Sequence, residues 1–121
     1  MTGKILVIED EPAICTLLKP LIKRAGGVGT FVGTAAEALT ALGQESFDLI
    51  LCDAGLPDRS GYELLEDIAR EGKTDARKVV MSGLPPGDDV PKVFDDFVEK
   101  PFSMDELTAL IESAIRKKSN S

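Results

Sequence analysis

The chain has 121 residues, enough for one domain with its own core and too few for two. Its formal net charge is −7, which argues against nucleic acid or an anionic membrane as a direct partner, because both select basic patches. It contains no histidine, which removes imidazole acid–base catalysis and the commonest transition-metal ligand.

The first apolar run, near the N-terminus, is too short for a signal peptide or a membrane span, and no later stretch reaches membrane length. Residues 5–8 read as a buried strand. Residues 12–25 are amphipathic, with Ile14, Leu17, Leu18, Leu21 and Ile22 on one side. Pro12 suits a first helical turn and Gly26 with Gly27 stop the helix. Pro20 inside the pattern predicts a kink or a shortened helix. A weaker strand follows at 28–32. Thr34 and Glu37 then form a capping box opening a helix to about residue 42. Residues 48–53 are a strand that delivers Asp53 into a loop with Gly55, Pro57 and Gly61. The next helix spans 61–70, with Leu64, Leu65 and Ile68 inward. Strands follow at 78–81 and 97–99. Ser103 and Glu106 cap a last helix that carries Leu107, Leu110, Ile111 and Ile115. Cys15 and Cys52 form no CxxC pair, which reads as two reduced core thiols and an intracellular setting.

Five strands alternate with helices, and each strand is apolar at successive positions. A parallel sheet covered on both faces requires that pattern, so the fold class is α/β, an open doubly wound sandwich. Right-handed crossovers place all strand tips at one edge, where ligands of such sheets bind. At that edge the sequence puts Glu9 and Asp10, Asp53, Ser82 and Lys100. Each has an ordinary alternative: a helix cap for Asp10 or Glu11, an Asx turn for Asp53, a turn pair for Ser82 with Gly83, a solvated side chain for Lys100. Together they say more. Two like charges ~4 Å apart repel by roughly 4 kcal/mol at an effective dielectric near 20. Crowding Asp10 against Asp53 therefore calls for a compensating cation. Lys100 supplies one charge, and a hard divalent ion such as Mg²⁺ suits all-oxygen ligation.

The segments "ILVIEDEP", "LILCDAGLPDRSGYELL", "VVMSG" and "FVEKPF" resemble the receiver domain of two-component response regulators, over essentially the whole chain. The resemblance implies a flavodoxin-like five-stranded sheet, and one domain over 1–121 with its core at about 4–117 and a polar tail at 118–121. It implies Asp53 as phosphoacceptor, and Glu9, Asp10, Asp53 and the Gly55 carbonyl as ligands of Mg²⁺ or Mn²⁺. It further implies Ser82 as switch hydroxyl, Lys100 as phosphate-binding lysine, Phe97 at the switch aromatic position and a cis Lys100–Pro101 bond. The expected donor is a sensor histidine kinase or a histidine phosphotransfer protein, in the cytoplasm, with no direct contact to nucleic acid or membrane. The expected activity is self-catalysed phosphoryl transfer with slow autodephosphorylation, not enzymatic turnover.

The sequence departs from the family pattern between Ser82 and Lys100, which stand closer together than is usual. Pro85, Pro86 and Pro91 fall in that interval, so a shortened or irregular fourth helix is expected, and with it a monomer. A haloacid-dehalogenase-type phosphatase would need a second acid where Gly55 stands. A flavodoxin-like electron carrier would need aromatics about a flavin, and the chain has one tyrosine and no tryptophan. A receiver-like scaffold that binds partners without phosphorylation would not need the full set of acceptor-site residues.

Overall fold

In the computed structural model, the described residues form five strands and four helices, which alternate as far as the fourth strand and are then followed by the fifth strand and a last helix. Residues 3–72 and 74–119 are described, with side chains of the last helix described through residue 116. The strands are β1 (Gly3–Ile8), β2 (Gly27–Val32), β3 (Leu49–Asp53), β4 (Arg77–Ser82) and β5 (Asp96–Glu99). The helices are α1 (Pro12–Arg24), α2 (Ala35–Gln44), α3 (Gly61–Glu71) and α4 (Met104–Ser119). All strands are parallel in one sheet of order β2-β1-β3-β4-β5. This is the flavodoxin-like α/β sandwich expected from the alternation of elements. Among the described residues no helix is long and apolar enough to cross a membrane.

The continuous apolar strands are explained by burial on both faces. Leu6, Ile8, Ile50, Cys52 and Val80 face a core shared with α2 and α3. Ile5, Val7, Leu51, Val79 and Met81 face a second core shared with α1 and α4. Alternation along each strand sends neighbours to opposite layers, so in β3 the buried run over residues 49–52 is apolar throughout and the first polar residue is Asp53 at its tip.

Caps define where the helices begin. The Thr34 side chain accepts from the Glu37 amide, Ser60 from that of Glu63 and Ser103 from that of Glu106. At α1 the N-cap is Glu11, whose side chain makes no capping bond, with Pro12 in the first turn. Of the kink or shortening expected at Pro20, the shortening does not occur, since α1 runs through it to Arg24. Leu17, expected on the apolar side, is 38% exposed. The expected polar tail begins inside α4, which continues to Ser119; residues 120–121 lie outside the described part.

The largest departure lies between β4 and β5. No helix forms over residues 83–95. Prolines remove backbone donors and disfavour helical geometry in the residue before them, and three fall in this short interval. The irregular segment still covers the sheet. Val90, Val93 and Phe94, with Phe97 of β5, pack against the core under α2 and α3. The rings of Phe94 and Tyr62 lie 5.6 Å apart and tilted, a geometry favoured by aromatic pairs.

Candidate functional site at the carboxyl edge of the sheet

Three strand ends build an acidic pocket. Just beyond β1, the Glu9 amide donates to the Val32 carbonyl at 2.9 Å, so Glu9 is carried at the edge with little freedom. Its side chain is buried, whereas Asp10 is exposed and Asp53, the last residue of β3, is half-buried. A carboxylate oxygen from each of Glu9, Asp10 and Asp53 lies within 4.8 Å of the others.

Lys100 reaches this cluster from the end of β5. Its Nζ lies 2.8 Å from Glu9 Oε1 and 3.3 Å from Asp53 Oδ1. Its backbone amide donates to the Ser82 carbonyl at 2.7 Å, which joins the ends of β4 and β5. The Lys100–Pro101 bond is cis. Burial pushes the Glu9 carboxyl up to about 7; Asp53 adds to this and Lys100 opposes it. Burial also disfavours the Lys100 charge, but Glu9 and Asp53 outweigh it and hold the ammonium above its usual range. One cation thus faces three acids. Glu9 Oε2 is buried without a hydrogen-bond partner. That orphaned oxygen, beside two further carboxylates, is a donor set that fits a hard divalent cation.

The loop after Asp53 is held tightly. The Ala54 amide donates to the Met81 carbonyl at 2.9 Å, and the Gly61 amide to the Ala54 carbonyl at 2.8 Å. The Gly55 amide donates to Asp53 Oδ1 at 3.3 Å, and Gly55 pairs with Ser60 in an isolated antiparallel bridge. Gly61 is required here: a Cβ would sit 2.1 Å from the Asp53 carbonyl oxygen and 3.0 Å from Cys52 Sγ. Cys52 is buried directly behind Asp53, and both cysteines are free.

Ser82, at the tip of β4, accepts a hydrogen bond from the Leu84 amide at 3.2 Å. Phe97 lies on β5, opposite Val80 in register, half-buried and outside the charged cluster. The structure therefore brings Glu9, Asp10, Asp53 and Lys100 into one site, with Ser82 on the adjoining tip. Sequence reasoning missed Asp58. Its carboxylate accepts from the Ala35 amide at 2.9 Å and the Ala36 amide at 3.1 Å, at the start of α2. The Ala35 amide foremost, with that of Ala36, holds the Asp58 carboxyl below its usual range. No local pattern signals a cap delivered from a loop later in the chain.

The pattern of the response regulator receiver domain family matches residues 5–112. The transcriptional activator protein PfeR of Pseudomonas aeruginosa is 36% identical over 118 residues, which cover 94% of this chain and 38% of PfeR. This chain thus spans well under half of that regulator. The CheY-like receiver domain of a response regulator from Methylobacillus flagellatus superposes with a TM-score of 0.84 at 26% identity, covering 94% of this chain and 99% of that one. The receiver domain of a sensor histidine kinase from Pseudomonas aeruginosa, described with a magnesium ion coordinated in its active-site cleft, superposes with a TM-score of 0.81 at 24% identity, covering 95% and 98%. On its sequence match, its sheet order and its acidic edge, this chain belongs to the response regulator receiver domain family.

Proposed function

We propose that the chain is a phosphorylation-dependent switch or relay module in which Asp53 accepts a phosphoryl group from a phosphohistidine. The observation that carries this reading is the Lys100 ammonium bridging Glu9 and Asp53 beside Asp10. Phosphoryl transfer asks for positioning and for compensation of charge on the phosphoryl oxygens. An Asp53 oxygen attacks phosphorus in line; the donor's phosphorus–nitrogen bond breaks and the imidazole leaves with the electron pair. A carboxylate nucleophile needs no base, so the absence of histidine is no obstacle. Lys100 then turns from the carboxylates to the new phosphoryl oxygens.

Glu9, Asp10, Asp53 and the Gly55 carbonyl would hold Mg²⁺ or Mn²⁺. The fit rests on the orphaned Glu9 oxygen and the all-oxygen donor set, and a magnesium ion is described in the cleft of the sensor-kinase receiver domain. When bound, the ion neutralises and orients the phosphoryl oxygens. The Ser82 hydroxyl donates to the phosphoryl group and gives up its bond from the Leu84 amide. Phe97 moves into the space that Ser82 leaves.

The donor is a sensor histidine kinase or a histidine phosphotransfer protein. A groove of about 410 Å³ beside the acceptor is lined by Glu11, Ile14, Leu17, Lys100, Pro101 and Phe102. Its exposed apolar Leu17 suits docking of the donor's histidine-bearing helix. Two free cysteines are in keeping with a cytoplasmic setting. Fluorine NMR with beryllofluoride, a phosphoryl mimic, and Mg²⁺ tests the site. A bound resonance is expected for the native chain and not for Asp53→Asn; no bound resonance at saturating Mg²⁺ would overturn the reading.

A further inference from the structure

The loop that follows Asp53 is tied to the rest of the molecule at several places, and two of them involve side chains that reach the α2 side. Leu56 is buried in the core under α2 and α3. Asp58 crosses to α2 and accepts from both of its leading amides, Ala35 at 2.9 Å and Ala36 at 3.1 Å. A helix start leaves its first amides without intrahelical partners. In α2, Thr34 serves the Glu37 amide, and Asp58 serves the two before it. The α2 start is completed by a residue from the acceptor loop, 23 positions away for Ala35.

The other end of this connection lies at the metal-binding carboxylates. Gly33, just before the α2 cap, packs against Asp10: a Cβ on Gly33 would lie 3.8 Å from the Asp10 Cα. The Gly33 amide donates to Glu37 Oε1 at 3.0 Å, so the turn is tied into α2. On the loop side, Gly55 is three residues from Asp58 and donates to Asp53. Asp58 therefore clamps together the two backbone segments that carry Asp10's neighbour and Gly55. Removing it breaks the direct tie between the two, although it touches neither Asp53 nor Asp10.

We infer that Asp58 is a positioning residue: by capping α2 from the acceptor loop, it sets the spacing between Asp10 and Gly55 and hence the affinity of the site for a divalent cation. The link to metal and phosphoryl chemistry rests on the function proposed above; the clamp itself rests on the hydrogen bonds. A loop held on both sides loses less entropy when an ion orders its carbonyl. Groups that support metal ligands without touching the ion typically change affinity by about 10–100-fold. Asp58 acts one step further out, so the lower end applies.

The experiment compares the native chain, Asp58→Ala and Asp58→Asn. Mg²⁺ affinity is measured by calorimetry, and exchange of the Ala35, Ala36 and Gly55 amides by NMR. Asp58 is exposed, so neither substitution opens the core. The expected result is about tenfold weaker Mg²⁺ binding in Asp58→Ala, with faster exchange of all three amides. Asp58→Asn keeps one acceptor oxygen, which can serve one of the two amides, and turns an NH2 toward the other, so it should recover only part of the affinity. Native affinity in Asp58→Ala would overturn the inference. So would weaker Mg²⁺ binding with native exchange of the Ala35, Ala36 and Gly55 amides, which would make the charge, not the clamp, responsible. Native protein that binds no Mg²⁺ would overturn it as well. If the affinities follow the expected order but native Asp53 takes no phosphoryl group, the clamp stands and the proposed function falls. If native Asp53 is phosphorylated but Asp58→Ala binds Mg²⁺ as the native chain does, the reverse holds.

Discussion

Lys100 Nζ lies 2.8 Å from Glu9 Oε1, across a sequence separation of 91 residues. The same ammonium reaches Asp53 at 3.3 Å, so one cation is shared by acids on two other strands. Lys100→Ala should leave three crowded carboxylates with no positive partner. Removing one side of a partly buried, hydrogen-bonded ion pair costs about 1–3 kcal/mol. Urea denaturation should show that loss without divalent cation, and added Mg²⁺ should restore part of it. An unchanged midpoint would mean that the acids are better solvated than their burial indicates.

Gly61→Ala tests how tightly Asp53 is held. The added methyl would overlap the Asp53 carbonyl oxygen at 2.1 Å, and that backbone also ends β3. Since the contact is with backbone, relief requires Asp53 itself to move. Forced overpacking of this kind costs about 1–3 kcal/mol. Thermal denaturation should show a lower midpoint, and phosphorylation by acetyl phosphate should slow. A variant with native stability and native labelling rate would show that the loop has slack.

Much of this arrangement is legible in the amino-acid sequence. Strand tips follow from apolar runs, and parallel connections put Glu9, Asp53, Ser82 and Lys100 on one edge. The cis bond at Pro101 follows from the resemblance and is present. The missing helix is anticipated in part, because Pro85, Pro86 and Pro91 interrupt any periodicity, but a short helix and none at all read alike in sequence. Continuation of α1 through Pro20 agrees with the amphipathic stretch over 12–25, in which Leu18, Leu21 and Ile22 are buried, and only the shortening expected at Pro20 does not occur. Asp58 is invisible for a different reason: its partners are backbone amides, which carry no residue signature.

The Asp58 cap also has a pH signature. The Ala35 amide, with that of Ala36, lowers the folded-state pKa of this carboxyl. A lowered folded-state value means that the unfolded chain takes up the proton first as pH falls. The contribution is thus complete above the ordinary carboxylate range and lost as pH drops through the lowered value. The stability gap between the native chain and Asp58→Ala should be constant near neutrality and close at acid pH. Urea titrations across that range measure it; a gap that persists in acid would rule out an ionised cap.

The helix-free segment bears on assembly. Residues 83–95 present no helical row of side chains, and Asp96 at the start of β5 is engaged within the chain by Arg77, whose Nε lies 2.9 Å from Asp96 Oδ2. A receiver–receiver contact that used a helix between β4 and β5 would lack that helix here. The beryllofluoride-treated protein should sediment as a monomer. A tight dimer with crosslinks within residues 88–97 would show that the irregular segment builds that face by other means.

The central claim is that Asp53 is the residue that takes the phosphoryl group. Intact-mass spectrometry after treatment with acetyl phosphate and Mg²⁺ tests it most directly, on the native chain and on Asp53→Asn, whose amide is nearly isosteric but a poor nucleophile. The native chain should gain one phosphoryl mass, dependent on Mg²⁺, and Asp53→Asn should gain none while keeping its fold by circular dichroism. An unmodified native chain, or a folded Asp53→Asn that is still labelled, would contradict the account.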